Sequence, residues 1–239
     1  MTGALTVEGL TVVYGGVKPL DDVSLVFDRD VCGLVGPNGA GKTTFFNVLS
    51  GFAVPAAGSL RFDGDDLLAM NAAKRARWGL RRTFQQEQVI QGLSAWDNVR
   101  LTAEHTGGGR SAVERAIDFV GLDGVDRPGS ELSMLERRLV EIAKTVVGAT
   151  KLVLLDEPGA GLDQGETERL IELIRQIPGE FGALVILVDH DMDLVSTVCG
   201  TTAVLDFGRV IAIGTTADVL ASPEVKRAYL GTADLEETG

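Results

Sequence analysis

An α/β fold built on a mostly parallel sheet is predicted by three features of this 239-residue sequence. A short apolar run, Val31 to Val35, feeds a glycine-rich loop, and Lys42 to Leu49 continues from that loop with helical character. Apolar runs return at Leu152 to Leu155 and Ala183 to Val188, bracketed by helical segments such as Glu166 to Ile177, and strands alternating with helices argue for a parallel α/β sheet. Between them, residues 86–148 read as a helical lobe inserted into one domain whose α/β core comprises 1–85 and 149–239.

Each element has its own signal. Leu5 to Leu10 and Val23 to Phe27 read as strands of an N-terminal sheet, with Tyr14-Gly15-Gly16 turning the chain between them. Pro55-Ala56-Ala57-Gly58 reads as a turn before a short strand, Ser59 to Phe62, and Asp63-Gly64 turns again. The basic stretch Lys74-Arg75-Ala76-Arg77 precedes a strand at Leu80 to Phe84. Trp96, Val99 and Ala103 recur at helical spacing, as do Val113, Ala116, Ile117 and Val120, with Gly107-Gly108-Gly109 as the loop between. A third helix opens at Ser133 and carries Leu135, Leu139, Ile142, Ala143 and Val146 on one face. Thr202 to Leu205 and Val210 to Ile213 read as a hairpin turned by Phe207-Gly208-Arg209, and a polar acidic tail closes the chain.

Composition narrows the function. Lys and Arg number 22 against 34 Asp and Glu, a formal charge of −12, which disfavours nucleic acid as a main partner because a phosphate backbone needs a basic footprint. Two cysteines, Cys32 and Cys199, are too few for a disulfide framework and lie in no metal-ligand cluster; Cys32, inside an apolar strand, reads as buried. The N-terminus lacks the basic and apolar regions of a signal peptide, and no run is long enough to span a membrane. A cytoplasmic protein is expected, whose membrane role comes through a partner.

The chemistry starts at Gly33-Leu34-Val35-Gly36-Pro37-Asn38-Gly39-Ala40-Gly41-Lys42-Thr43-Thr44, which fits G-x-x-x-x-G-K-[ST]. A loop between a strand and a helix start presents successive backbone N–H groups to an anion. Its glycines let the backbone approach phosphate oxygens, Lys42 would reach the β- and γ-phosphates, and the Thr43 hydroxyl would ligate Mg²⁺. Gly36, Asn38, Gly39, Ala40, Gly41, Lys42, Thr43 and Thr44 are therefore candidate ATP contacts. Downstream, four apolar residues end in Asp156-Glu157-Pro158. A buried strand delivers Asp156 at its carboxyl end, where it can hold Mg²⁺ through water, and sets Glu157 to orient or deprotonate the attacking water. Two adjacent acids are usually plain surface, but at the end of an apolar strand they need a cation or a partner.

In order, the phosphate loop, Gln85, the Ser133 region, Asp156-Glu157-Pro158, Gly161-Leu162-Asp163 and His190 make the chain resemble the ATPases of ATP-binding cassette (ABC) transporters along essentially its whole length. Arg82-Thr83-Phe84-Gln85, Asp189-His190-Asp191-Met192-Asp193 and Val225-Lys226-Arg227-Ala228-Tyr229-Leu230-Gly231 are similar to importer ATPases for branched-chain amino acids, a group that includes urea and amide importers. The resemblance implies an ABC-type P-loop NTPase fold with an N-terminal antiparallel β subdomain. Tyr14 would stack on adenine, the alternative being a strand-end aromatic in the core. Gln85 would touch Mg²⁺ and the attacking water while its loop meets the membrane subunits. His190 would partner the γ-phosphate, with catalytic roles shared among Glu157, His190 and Gln85 and metal contacts among Thr43, Gln85 and Asp156. Asp163 would contact the opposite subunit. His105, the other histidine, reads as solvated surface.

One motif departs from the family pattern. The signature, commonly Leu-Ser-Gly-Gly-Gln, is here Leu132-Ser133-Met134-Leu135-Glu136. In the family it offers the serine hydroxyl and backbone N–H groups to the nucleotide of the other subunit, and glycine permits that close approach. Ser133 followed by Glu136 also makes a capping box, so Ser133 reads equally as a helix start. The resemblance implies an ATP-hydrolysing importer subunit, peripheral on the cytoplasmic face of the plasma membrane, working with permease subunits and, indirectly, a solute-binding protein. A heterodimer with a second ATPase carrying an intact signature is expected, with a homodimer as the alternative. The rivals are a silent ATP-binding assembly subunit and a soluble ABC ATPase without a transporter.

Overall fold

The computed structural model describes residues 3–28 and 30–228. The strands are β1 (Leu5–Tyr14), β2 (Val17–Phe27), β3 (Val31–Val35), β4 (Ala57–Phe62), β5 (Asp65–Asp66), β6 (Leu80–Arg82), β7 (Leu152–Asp156), β8 (Leu184–Val188), β9 (Thr201–Asp206) and β10 (Arg209–Thr215). The α-helices are α1 (Lys42–Ser50), α2 (Ala72–Trp78), α3 (Ala95–Thr106), α4 (Arg110–Val120), α5 (Met134–Val146), α6 (Gln164–Phe181), α7 (Met192–Val198) and α8 (Thr216–Ala221). They fall into two compact units, Met1–Arg75 with Ile186–Gly239, and Ala76–Val185.

In the first unit, β2, β1, β4 and β5 form an antiparallel sheet in that order. Its strands alternate in the period-two manner of a half-buried sheet, with Leu5, Val7, Leu10 and Val12 of β1 inward and Val13 and Tyr14 exposed at its end. By contrast β3 is buried at every residue and pairs in parallel with β9, which pairs antiparallel with β10. α1 buries Phe45, Phe46, Val48 and Leu49 and ends at Gly51, whose φ of +78° suits glycine.

In the second unit, β6 pairs in parallel with β7, again buried at all five positions. α3, α4 and α5 pack on one another through the predicted apolar positions: Val99 and Ala103, the Val113–Val120 set, and Leu139, Ile142, Ala143 and Val146 are all buried. α6 packs against α5 and runs one turn beyond the expected Ile177, through Pro178, before Gly182 caps it.

Several expectations are corrected. Ala57 and Gly58 belong to β4, where Thr11 pairs with Ala57, so the turn is shorter than expected. Arg209 opens β10 rather than lying in the turn. The basic stretch 74–77 is part of α2, and Arg75 is buried because it donates to the Val48 carbonyl and, at 2.7 Å, to that of Leu49, satisfying the open end of α1. The strand expected over Leu80 to Phe84 stops at Arg82; the Thr83 N–H still donates to the Leu154 carbonyl at 2.9 Å, and its hydroxyl turns to the backbone of Asp156. Tyr229-Leu230-Gly231 and the acidic tail lie outside the described residues.

Candidate active site

The phosphate loop joins β3 to α1. Gly36 has φ +151°, and a Cβ there would lie 2.1 Å from the Leu205 carbonyl oxygen; Gly41 has φ +109°, and a Cβ would lie 2.3 Å from that of Pro19. Gly39 differs: its φ is +79°, but a Cβ would meet nothing within 4 Å. Two glycines are thus demanded by the protein's own backbone, and the third leaves an open face. Gly41 supplies no side-chain cap to α1, whose N-terminus is the kind of site that suits an anion. Lys42 Nζ donates to the carbonyls of Gly36 at 2.5 Å and Pro37 at 2.9 Å, which folds its ammonium back over the loop. Asn38 and Thr43 are exposed, Thr44 is half-buried and Ala40 is buried.

A hairpin turn braces this loop. The Gly208 N–H donates to the Ala40 carbonyl at 3.0 Å, and the Asp21 N–H to the Gly208 carbonyl at 2.9 Å. Hydrogen bonds from Lys18 and Arg209 hold the Asp21 carboxyl below its usual range.

Tyr14, at the end of β1, is 55% exposed, which removes the alternative of a core aromatic and leaves its ring open to a planar ligand. His190 is exposed just before α7, its Nδ1 3.7 Å from the buried Asp189 carboxylate. Asp189 accepts the Asp191 N–H at 3.0 Å, and Asp191 caps α7 by accepting from Asp193 and Leu194.

The second unit carries the acidic residues. Asp156 ends β7 and is 7% exposed. Its Oδ2 accepts from Arg82 Nη2 at 3.1 Å, and its N–H donates to Thr83 Oγ1 at 3.0 Å. Arg82 lies over the Phe84 ring, 4.8 Å from the centroid. Burial lowers the Arg82 pKa, and its bond to Asp156 opposes that shift. Glu157 follows in the left-handed region, φ +49°, uncommon for a residue with a side chain. Gln85 is exposed beyond β6.

Ser133 and Asp163 both sit at helix starts. Ser133 Oγ accepts the Glu136 N–H at 3.2 Å and Glu136 Oε2 accepts the Ser133 N–H at 2.8 Å, so the capping box is realised. The Arg127 guanidinium bound to Glu136, and then the Ser133 N–H, hold the Glu136 carboxyl below its usual range. Asp163 caps α6 in the same way, accepting the Glu166 N–H at 2.9 Å. Met134 is 45% exposed, and its Sδ stands 2.9 Å from where a Cβ on Gly161 would lie.

Arg82 and Thr83 are site residues that the sequence reading misses; their only signal is membership of the family stretch that ends at Gln85. Hydroxyl, amide and carboxylate oxygens from Thr43, Gln85 and Asp156 are the hard donors Mg²⁺ prefers. Among the described residues no three His, Cys, Asp or Glu side chains form a ready-made metal cage.

Comparison with known proteins gives a consistent answer. The sequence model of the ABC transporter family matches residues 20–160, and that of the branched-chain amino acid ATP-binding cassette transporters matches residues 209–234. The chain is 34% identical to the high-affinity branched-chain amino acid transport ATP-binding protein BraF of Pseudomonas aeruginosa, across 96% of this chain and 98% of that protein. It is 33% identical to the corresponding protein LivG of Escherichia coli K12, with the same coverage. Among solved structures, the ADP conformation of an ATP-binding cassette of an ABC transporter superposes with a TM-score of 0.86 at 27% identity, covering 97% of this chain and all of that one. With the phosphate loop, the buried acid at the end of β7 and this match over nearly the full length, the chain belongs to the ABC transporter family and is one of its ATP-binding cassette ATPases.

Proposed function

We propose that this ATPase powers an importer of branched-chain amino acids or similar small polar solutes, from the cytoplasmic face of the membrane. The observation that carries the reading is similarity to branched-chain amino acid transport ATP-binding proteins over 96% of the chain, with a second match at the C-terminal segment 209–234. Among the described residues no helix is long and apolar enough to cross a membrane, so the proposed partners include permease subunits that supply the pore. Solute selectivity lies with those subunits and a solute-binding protein.

In this reading the adenine stacks on Tyr14 and the phosphates lie in the loop from Gly36 to Thr44, held by backbone N–H groups and Lys42. Thr43, Gln85 and Asp156 would hold Mg²⁺, which would offset the charge of the nucleotide phosphates. Glu157 orients the attacking water and takes its proton, Gln85 positions that water, and His190 hydrogen-bonds the γ-phosphate. Residues 86–148 act as the helical subdomain that carries the signature to a second subunit. Hydrolysis then lets two such subunits part, and the Gln85 loop passes the change to the permease.

Met134 and Leu135 favour a further reading of the dimer. Leu135 stands where the family has glycine, and Ser133 is already engaged as a helix cap. We infer a heterodimer whose second ATPase supplies an intact signature to this chain's nucleotide, while the site facing Ser133 turns over slowly. The test is steady-state ATP hydrolysis at several concentrations of this chain, alone and with the second ATPase, with Glu157→Gln as control. The heterodimer reading expects negligible turnover alone and restoration by the partner. Fast, concentration-dependent turnover of the isolated chain that vanishes in the control would instead establish a homodimer. Met134→Gly with Leu135→Gly should raise turnover of the chain alone.

A further inference from the structure

α5 does more than start at the signature. One face of it, Arg137, Arg138, Glu141 and Lys144, holds the segment that follows Gln85. Glu141 is the centre of this face, and at 4% exposure it is a carboxylate almost removed from water. Its Oε1 accepts the Gln88 N–H at 2.9 Å, and its Oε2 accepts from Arg138 Nη1 at 2.9 Å. Lys144 Nζ donates to the Gln88 carbonyl at 2.7 Å, so both backbone polar groups of Gln88 are bound by α5. Arg137 adds an ion pair to Glu87 at 3.0 Å and a hydrogen bond to the Leu132 carbonyl, also at 3.0 Å. Arg138 Nη2 reaches the Ala160 carbonyl at 3.4 Å, in the loop that runs from Glu157 to Asp163.

A buried carboxylate is costly unless its oxygens are bonded, so this arrangement is not incidental surface chemistry. Glu141 meets that demand only while Gln88 stays where it is and Arg138 faces inward. A buried helix position of this kind would serve stability better with an apolar side chain. What the acid adds is a fixed address for Gln88, and through the short run of Gln86 and Glu87 for Gln85 as well.

We propose that Glu141 is a positioning residue for the ATPase reaction: its buried carboxylate fastens the Gln85 loop to the signature helix and, through Arg138, ties that helix to the loop preceding Asp163. The proposal rests on the role given above to Gln85. Glu141 touches no reacting atom. It sets where Gln85 stands, and it makes a shift of that loop a shift of α5 and of the Ala160 carbonyl together.

The experiment uses the full chain in the dimer that hydrolyses ATP, with Glu141→Ala, Glu141→Gln, Gln85→Ala and the Glu141→Ala/Gln85→Ala double variant. Hydrogen exchange at Gln88, kcat and the KM for ATP are measured for each, with thermal melting as a check on folding. Expected for Glu141→Ala are at least tenfold faster exchange at Gln88 and a tenfold or larger fall in kcat with KM within about twofold. The double variant should be no slower than Gln85→Ala alone. Glu141→Gln keeps the size and one acceptor oxygen, so it folds where the alanine variant fails, and it should lose kcat in the same direction. Unchanged kcat, or losses that multiply in the double variant, would overturn the proposal. Unchanged exchange at Gln88 would overturn the clamp itself. Wild-type turnover in Gln85→Ala is a different failure: it removes Gln85 from the reaction and with it the catalytic consequence of the clamp.

Discussion

Arg82 and Asp156 form an ion pair of 3.1 Å with side chains only 5% and 9% exposed, at the edge where β6 and β7 end together. Thr83 strengthens the arrangement by accepting the Asp156 N–H, so consecutive residues at the end of β6 hold both the backbone and the carboxylate of the acid. Both ions have left water, and removing one takes a bonded counter-charge from the other. Arg82→Met is therefore expected to destabilise the fold by about 3 kcal/mol. Combining it with Asp156→Asn should cost less than the single change, because no buried charge is left alone. Chemical denaturation of the two variants checks this, and a larger loss in the double variant would show that the pair is not the source.

The phosphate-loop glycines are expected to divide. Gly36→Ala drives a Cβ to 2.1 Å from the Leu205 carbonyl oxygen and should prevent stable folding. Gly39→Ala meets open space, so its cost is the φ of +79° alone, about 1 kcal/mol. Nucleotide titration of the folded Gly39→Ala protein then reads the loss of phosphate contact by itself. A Gly39→Ala melting temperature as low as that of Gly36→Ala would contradict the division.

Glu157, the proposed base, keeps a left-handed backbone, φ +49°. Strain of this kind costs about 1 to 3 kcal/mol and persists where function requires it. Glu157→Gly should be more stable than Glu157→Gln by about 1 kcal/mol. Both should bind ATP and neither should hydrolyse it. Paired denaturation curves and a single-turnover assay decide, and equal stability would mean that the turn carries no strain.

Acid should reach the start of α5 late. The folded pKa of Glu136 is depressed by Arg127, so its contribution to stability is fully present above the unfolded value, near 4.5, and is lost as pH falls through the lower folded value. Near pH 4 the Ser133 amide should still be protected from exchange, while in Arg127→Ala protection should already be fading. Exchange measured from pH 5 to pH 3 in both proteins tests the order of loss.

The legibility of this sequence follows the distance over which each feature is encoded. The phosphate loop, β3 and α1 are contiguous, and the motif with its flanking patterns locates them to within a residue. The capping box of Ser133 and Glu136 is equally local. α2 is unreadable as a helix because it has no apolar stripe, and its buried residue, Arg75, is held by carbonyls of α1 that lie 26 and 27 residues away in sequence. α7 and α8, of seven and six residues, are too short for a helical period to register. The Arg82–Asp156 pair spans 74 residues, and only the pairing of β6 with β7 reveals it. Periodicity likewise makes Glu141 one polar residue on an amphipathic helix, since the Gln88 amide it binds lies on a loop 53 residues away.

The turn between β9 and β10 has the outward marks of a permissive loop tip, with Phe207 87% exposed beside a glycine. Such tips are where affinity tags, fluorophores and inserted domains are customarily placed. Here the Gly208 N–H is bonded to the Ala40 carbonyl, and a Cβ on Gly208 would stand 2.8 Å from the Pro19 carbonyl oxygen. A graft at this tip would pull on the nucleotide-binding loop itself. Reporters for this protein belong at the triglycine link between α3 and α4, where Gly107 and Gly109 have open space around them.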